Sequence, residues 1–206
     1  MNNSENPPIE KLLAKLALHH GENLCNFYRG TATNNLRLYL THFTQRPPQY
    51  ILLGEAAGYQ GARQTGITFT SEALLPSVET WLAIKGLTPA TIKIWKEPSA
   101  TIVWKAIRNH ANQFLLWNAV PWHPHKPSLP DSNRTPNKTE RKAGLEIVRD
   151  IQQLFPIAQW IGVGRVAQEI LCELGLPNRG IRHPANGGAT RFTRDIQTLA
   201  QTHPSP

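Results

Sequence analysis

The chain has 206 residues, a formal net charge of +8, and 40% hydrophobic residues. That length suits one α/β domain with a buried core. No run approaches the about eighteen apolar residues of a membrane span, and the opening MNNSENPPIEKLL lacks the basic-then-apolar order of a secretory leader. The positive excess favours a polyanionic partner, because cationic side chains displace counterions condensed on a phosphate backbone.

Residues 1–8 are polar, contain two prolines, and read as a loose tail. Ile9 to His20 carries apolar residues at helical spacing, with Gly21 to end it. A second, weaker helical pattern covers 29–43 and closes at Arg46-Pro47-Pro48. Tyr50-Ile51-Leu52-Leu53 is a short continuous apolar run that meets a glycine-rich stretch. It predicts a buried parallel strand feeding a loop. Residues 71–85 read as a helix with Ser71 as its N-cap, and Ser99 caps another that runs to about His110. Phe114-Leu115-Leu116-Trp117 is the second strand, ending at Asn118. Residues 119–137, rich in Pro, His, Ser and Asn, form a loop long enough to suggest function. A helix over 138–155, a strand over 159–163, a helix over 165–174 ended by Gly175, a strand over 179–182 and a helix over 188–201 complete the chain. Strands alternating with helices predict one α/β domain over 1–206, a central four-stranded parallel sheet flanked by helices.

Cys25 and Cys172 are too far apart in sequence for a metal-type pair. They are expected as free, buried thiols of a cytoplasmic protein. His123 and His125 alternate without a nearby carboxylate or cysteine, short of the four ligands a structural zinc requires. No metal and no other cofactor is expected.

Ligands of open α/β sheets bind beyond the carboxyl ends of the strands. Three segments bring unusual residues there: Gly54-Glu55-Ala56-Ala57-Gly58, Asn118, and His183-Pro184-Ala185-Asn186-Gly187-Gly188. Each alone has a plain structural explanation, as a turn, a helix cap or a hydrogen-bonded histidine. Together they resemble the motif set of the uracil-DNA glycosylase superfamily, over about residues 50 to 192 and in that family's order. Gly54 to Gly58 is similar to the Gly-Glu-Ala-Pro-Gly motif of some bacterial branches, and the distance on to Phe69 in Thr65-Gly66-Ile67-Thr68-Phe69 matches, without an alignment gap, that family's spacing from its first glycine to its base-stacking phenylalanine.

The resemblance implies an enzyme that flips a uracil, or a related deaminated base, out of DNA and hydrolyses its N-glycosidic bond. It makes Phe69 the ring that stacks on the base and Asn118 the amide that reads the base edge. Gly54, Ala56 and Gly58 line the base. His183 is the donor that stabilises the departing base, and Glu55 is the nearest carboxylate for the water or the sugar. Arg63, Lys126, Asn186, Gly187 and Arg191 are the candidate DNA contacts, with Arg134, Arg179 and Arg194 behind them. A monomer acting on DNA is expected.

Three departures qualify the match. The water-activating aspartate of well-known members aligns with Ala56. The tyrosine that excludes thymine aligns with Gly58, so Tyr59 is the nearest substitute. The leucine that fills the emptied stack is missing, so any wedge must be another residue, such as Asn186 or Arg191. Two cysteines also cannot ligate the iron–sulfur cluster of some branches. A non-catalytic nucleic-acid-binding module of this fold, or a small-molecule nucleotide or nucleoside enzyme, remains as an alternative.

Overall fold

The structure is a computed structural model that describes residues 6–202. Residues 1–5, expected as a loose tail, lie outside the described residues. Pro7 and Pro8 were placed in the same tail but instead open the first helix, which Asn6 caps by accepting from the Ile9 N–H. Proline suits that position, where no intrahelical donor is needed.

The helices are α1 (Pro7–Leu18), α2 (Gly30–Gln45), α3 (Ala62–Thr65), α4 (Leu75–Leu82), α5 (Pro98–Ile107), α6 (Lys138–Leu154), α7 (Arg165–Glu173) and α8 (Ala189–Thr202). The strands are β1 (Leu24–Cys25), β2 (Tyr50–Ala56), β3 (Phe114–Val120), β4 (His123–Pro124), β5 (Gln159–Val163) and β6 (Asn178–Ile181). The main sheet has four strands in the order β3-β2-β5-β6, and all its pairings are parallel. The fold class is therefore the one the alternating pattern implied. Tyr50, Ile51, Leu52 and Leu53 of β2 and Phe114 to Trp117 of β3 are almost wholly buried, as strands covered on both faces must be. Strand order reverses between β2 and β5, which opens the crevice at the carboxyl ends.

Several boundaries differ from the sequence reading, each for a local reason. Strand β2 continues through Gly54, Glu55 and Ala56, because its ladder with β3 persists through Gly54 opposite Asn118 and Ala56 opposite Val120. The first three residues of the first motif are thus strand, with only Ala57 and Gly58 in the loop, and Asn118 lies within β3 rather than beyond it. The helix expected over 71–85 is a 3-10 turn at Glu72–Leu74 followed by α4. Ser71 makes no capping bond. Pro76, which has no N–H to donate, resets the helix start. Pro98 likewise moves the start of α5 ahead of Ser99, so Glu97 stands at the N-cap. That helix ends at Ile107, and a 3-10 turn carries the chain from Arg108 to Gln113.

The long segment 119–137 is partly ordered by pairing, since β4 forms an antiparallel ribbon with β1. Helix α6 starts on a full capping box between Asn137 and Glu140. The cysteines are free, but Cys25 is only half-buried and Cys172 is exposed. The expected burial fails because Cys172 lies outside the buried stripe of α7, formed by Ala167, Ile170 and Leu171.

Candidate active site

A cavity of about 420 Å³ opens at the carboxyl ends of the strands, and Glu55, Ala56, Gly58, Phe69, Asn118 and His183 all line it. Gly54, expected to line the base, does not line the cavity but lies beneath two residues that do, Asn118 and Phe69. A Cβ placed there would stand 2.6 Å from Asn118 Oδ1 and 2.7 Å from Phe69 Cζ. Only a residue without a side chain lets the amide and the ring converge over the strand. Asn118 is 3% exposed, and among the described residues its side chain forms no hydrogen bond. Its amide faces the cavity rather than the sealed core, so its donor and acceptor are available to a ligand.

Phe69 adopts a left-handed backbone with φ of 50°, a conformation that costs a side-chain-bearing residue about 1–2 kcal/mol. Its neighbours hold it there. The buried Thr65 hydroxyl donates to the Thr70 carbonyl at 2.8 Å and accepts from the Ile67 N–H at 3.2 Å. The Trp104 indole donates to the Thr70 hydroxyl at 2.9 Å. Gly66, with φ of 80°, packs directly on the Ala32 carbonyl of α2. Strain so heavily determined by its surroundings is characteristic of a functional position.

His183 enters from the loop after β6, its ring centroid 6.0 Å from that of Phe69. The Ala185 N–H donates to His183 Nδ1 at 3.1 Å. A neutral ring that accepts at Nδ1 carries its proton on Nε2. Burial lowers the His183 pKa below the ordinary 6.5, which keeps the ring neutral near pH 7. The result is a neutral N–H donor in the cavity wall. Asn186 (φ 52°) and Gly187 (φ 75°) turn the loop, and Gly188 packs against the His183 carbonyl.

Two carboxyls face the cavity. Glu55 is raised in pKa, chiefly by burial, with Arg141 and the Thr135 hydroxyl pulling the other way. Glu97 was not foreseen. Its carboxyl rests against the bare Cα atoms of Gly58 and Gly61, accepts from the Ser99 hydroxyl at 3.0 Å, and is also raised by burial. Asn133, Arg134 and Thr135 complete this side. The length of segment 119–137 pointed to these last three. Nothing local marked Glu97, because its place depends on glycines nearly forty positions away.

The basic candidates divide. Arg63 ties the first motif to the loop opposite, donating to the Pro130 carbonyl and to Asp131, both at 2.7 Å. Arg134 pairs with the buried Glu140 at 2.6 Å. Lys126, Asn186 and Gly187 are exposed, and Arg191 is exposed with only a loose 3.9 Å pairing to Asp195. His123 is wholly buried. Its Nδ1 lies 2.8 Å from the Ala57 carbonyl and its Nε2 3.1 Å from the Pro130 carbonyl. Its ring therefore joins the first motif to the loop opposite. Among the described residues no cluster of His, Cys, Asp or Glu is placed to hold a metal, and no helix is long and apolar enough to cross a membrane.

The parallel sheet thus gathers an amide, a strained aromatic ring and a neutral imidazole donor around one cavity at its carboxyl ends. The family model described as the uracil DNA glycosylase superfamily matches residues 41–206, and the chain belongs to that superfamily. Among solved structures, the chain is similar to wild-type SMUG2 of Pedobacter heparinus, with a TM-score of 0.66 and 15% identity. That match covers 96% of this chain and 99% of that one. At this identity the likeness is one of fold. No curated protein matches the chain.

Proposed function

We propose that the protein is a monomeric, monofunctional DNA glycosylase. It draws a deaminated base, uracil first, out of DNA into the cavity and hydrolyses its N-glycosidic bond, the opening step of base excision repair. The observation that carries this reading is the pair of polar groups that share the cavity with the Phe69 ring. One is the unpartnered Asn118 amide; the other is the neutral His183, whose proton is fixed on Nε2.

Asn118 offers a donor and an acceptor side by side, which match O4 and N3–H of uracil. Cytosine reverses that pattern and would leave buried groups unpaired. The Phe69 face replaces part of the lost base stacking, worth about 1–3 kcal/mol. As the C1′–N1 bond breaks, its electron pair leaves with the base and negative charge collects on O2. The His183 Nε2–H donates to that oxygen. Water adds its oxygen to C1′ and gives up a proton. With Ala56 in place of an acid, Glu55 is the group assigned to take that proton. Its raised pKa makes it a stronger base than an ordinary glutamate. Lys126, Asn186, Gly187 and Arg191 meet the DNA backbone, and Arg63 acts there by shaping the rim.

The test is excision from labelled oligonucleotides carrying one uracil, hypoxanthine or thymine mismatch, with alkali to cut at abasic sites. Uracil release that falls at least about a hundredfold in His183→Ala supports the enzyme and the donor together. Release of another base alone keeps the glycosylase and reassigns the base-reading edge. Binding of uracil-containing DNA without release of any base overturns catalysis in favour of a binding module.

A further inference from the structure

Beside the cavity, residues 88–96 form a loop built around a buried acid. Glu72 is 2% exposed. Its carboxyl accepts from the backbone N–H groups of Ala90 at 2.9 Å, Thr91 at 3.0 Å and Trp95 at 3.2 Å. The Thr91 hydroxyl spans the loop neck to the Lys93 carbonyl at 2.7 Å, and the Ala73 N–H reaches the Trp95 carbonyl at 3.1 Å. The tip held in this way is Ile92, 103% exposed, with Ile94 at 52% beside it. An aliphatic side chain held fully in water by a buried acid gains nothing for the folded protein alone. Its neighbours point to the partner: Lys93 stacks over the Trp95 ring at 3.8 Å, and Lys85 and Lys96 flank the segment.

The loop is continuous with the site. Trp95 meets Tyr59 edge-on at 5.8 Å, and Glu97, two residues on, lines the cavity. The other rim loop, Ala185 to Gly188, bears no large side chain apart from the polar Asn186.

We infer that Ile92 is the wedge that enters the base stack of duplex DNA when a nucleotide is extruded, with Lys93 and Lys96 on the flanking phosphates. An apolar side chain between base steps fills the space left by the flipped base and slows its return. This inference rests on the glycosylase reading. It adds a duplex-specific role for a loop outside the base-binding residues.

The test compares uracil excision from a duplex and from the same strand alone, for wild type, Ile92→Ala and Ile157→Ala. Ile157 is 87% exposed and precedes β5 at the opposite end of the sheet, so it reports any general effect of losing a surface isoleucine. Ile92→Ala is expected to lower kcat/KM on the duplex about tenfold or more, leave the single strand unchanged, and retain the wild-type melting temperature. In the same variant, 2-aminopurine placed opposite the uracil should show less unstacking on binding. Equal duplex rates for wild type and Ile92→Ala overturn the wedge and leave the glycosylase standing. An equal fall on both substrates also overturns it. A wild type that excises nothing from either substrate overturns the glycosylase reading, and the wedge with it.

Discussion

The two walls of the cavity are made by different means. One wall is Asn118 of β3 and the strained Phe69, which converge over Gly54 of β2 and are fixed by ladder register and by contacts that tolerate no added atom. The other wall, from Glu97 and residues 133–135, is set by side-chain hydrogen bonds to segments distant in sequence or to the start of α6: Arg63 to Pro130 and Asp131, the Tyr59 N–H to Asn133, Arg134 to Glu140. The first has one shape, which on the proposed reading suits recognition of the base edge. The second is charged and titratable, which on that reading suits the parts that meet water, sugar and phosphate. Precision comes from backbone, and adaptability from side chains.

This contrast breaks most directly at His183. His183→Ala should reduce excision about 10²–10³-fold while DNA affinity stays near wild type, because the lost donor acts mainly as charge develops on the leaving base. A loss of only a few fold would move the electrostatic work to the other wall. Gly54→Ala comes next. Its methyl would fall against Asn118 and Phe69, and overpacking of a core of this kind costs about 1–3 kcal/mol. A lower urea midpoint is expected, with excision reduced about ten- to a hundredfold as the amide and ring are displaced. Wild-type activity in Gly54→Ala would mean that this wall yields as the other does.

The difference also explains what could be read in the sequence. Gly54, Asn118 and His183 stand in or just after strands announced by apolar runs such as Tyr50 to Leu53 and Phe114 to Trp117, so strand-end position drew attention to them, whereas Phe69 was reached only through the resemblance to the glycosylase motif set. The parallel sheet followed from the same runs. Glu97 could not be found that way. Its burial comes from Gly58 and Gly61, whose missing side chains make room for a carboxyl that sits before a proline like any helix start. The ends of β2 and β3 were missed because pairing, not residue type, carries those strands past a glycine and an asparagine. Ile92 in sequence is one apolar residue among several, and its exposure depends on hydrogen bonds to Glu72 across the fold.

Glu72→Ala probes the loop side further out. Removing the carboxyl leaves the Ala90, Thr91 and Trp95 N–H groups without their acceptor, which should cost about 1–3 kcal/mol by chemical denaturation. Duplex excision should fall about tenfold, as for loss of the wedge itself, with single-strand excision spared. Combining Glu72→Ala with Ile92→Ala should then add little on duplex DNA, since both act through one loop. Full additivity would show that Glu72 supports the cavity by another route.

The smallest effect, and the one that separates Glu97 from His183 by sign, is the pH dependence of stability. Burial raises Glu97 above its ordinary 4.5, so the folded state holds that proton more tightly than the unfolded chain. Its contribution is greatest below 4.5 and is lost as pH rises through that value and past the raised folded value. Burial lowers His183 below 6.5, so the unfolded chain takes up the proton first. The His183 contribution is present above 6.5 and is lost as pH falls toward the lowered folded value. Urea melts at about pH 4 and about pH 7 should therefore show Glu97→Gln losing less stability than wild type on going from acid to neutral. His183→Ala should lose less on going from neutral to acid. If Glu97→Gln instead follows the wild-type curve, the Glu97 carboxyl is well solvated in the free protein, and its side of the cavity is open to water before any base arrives.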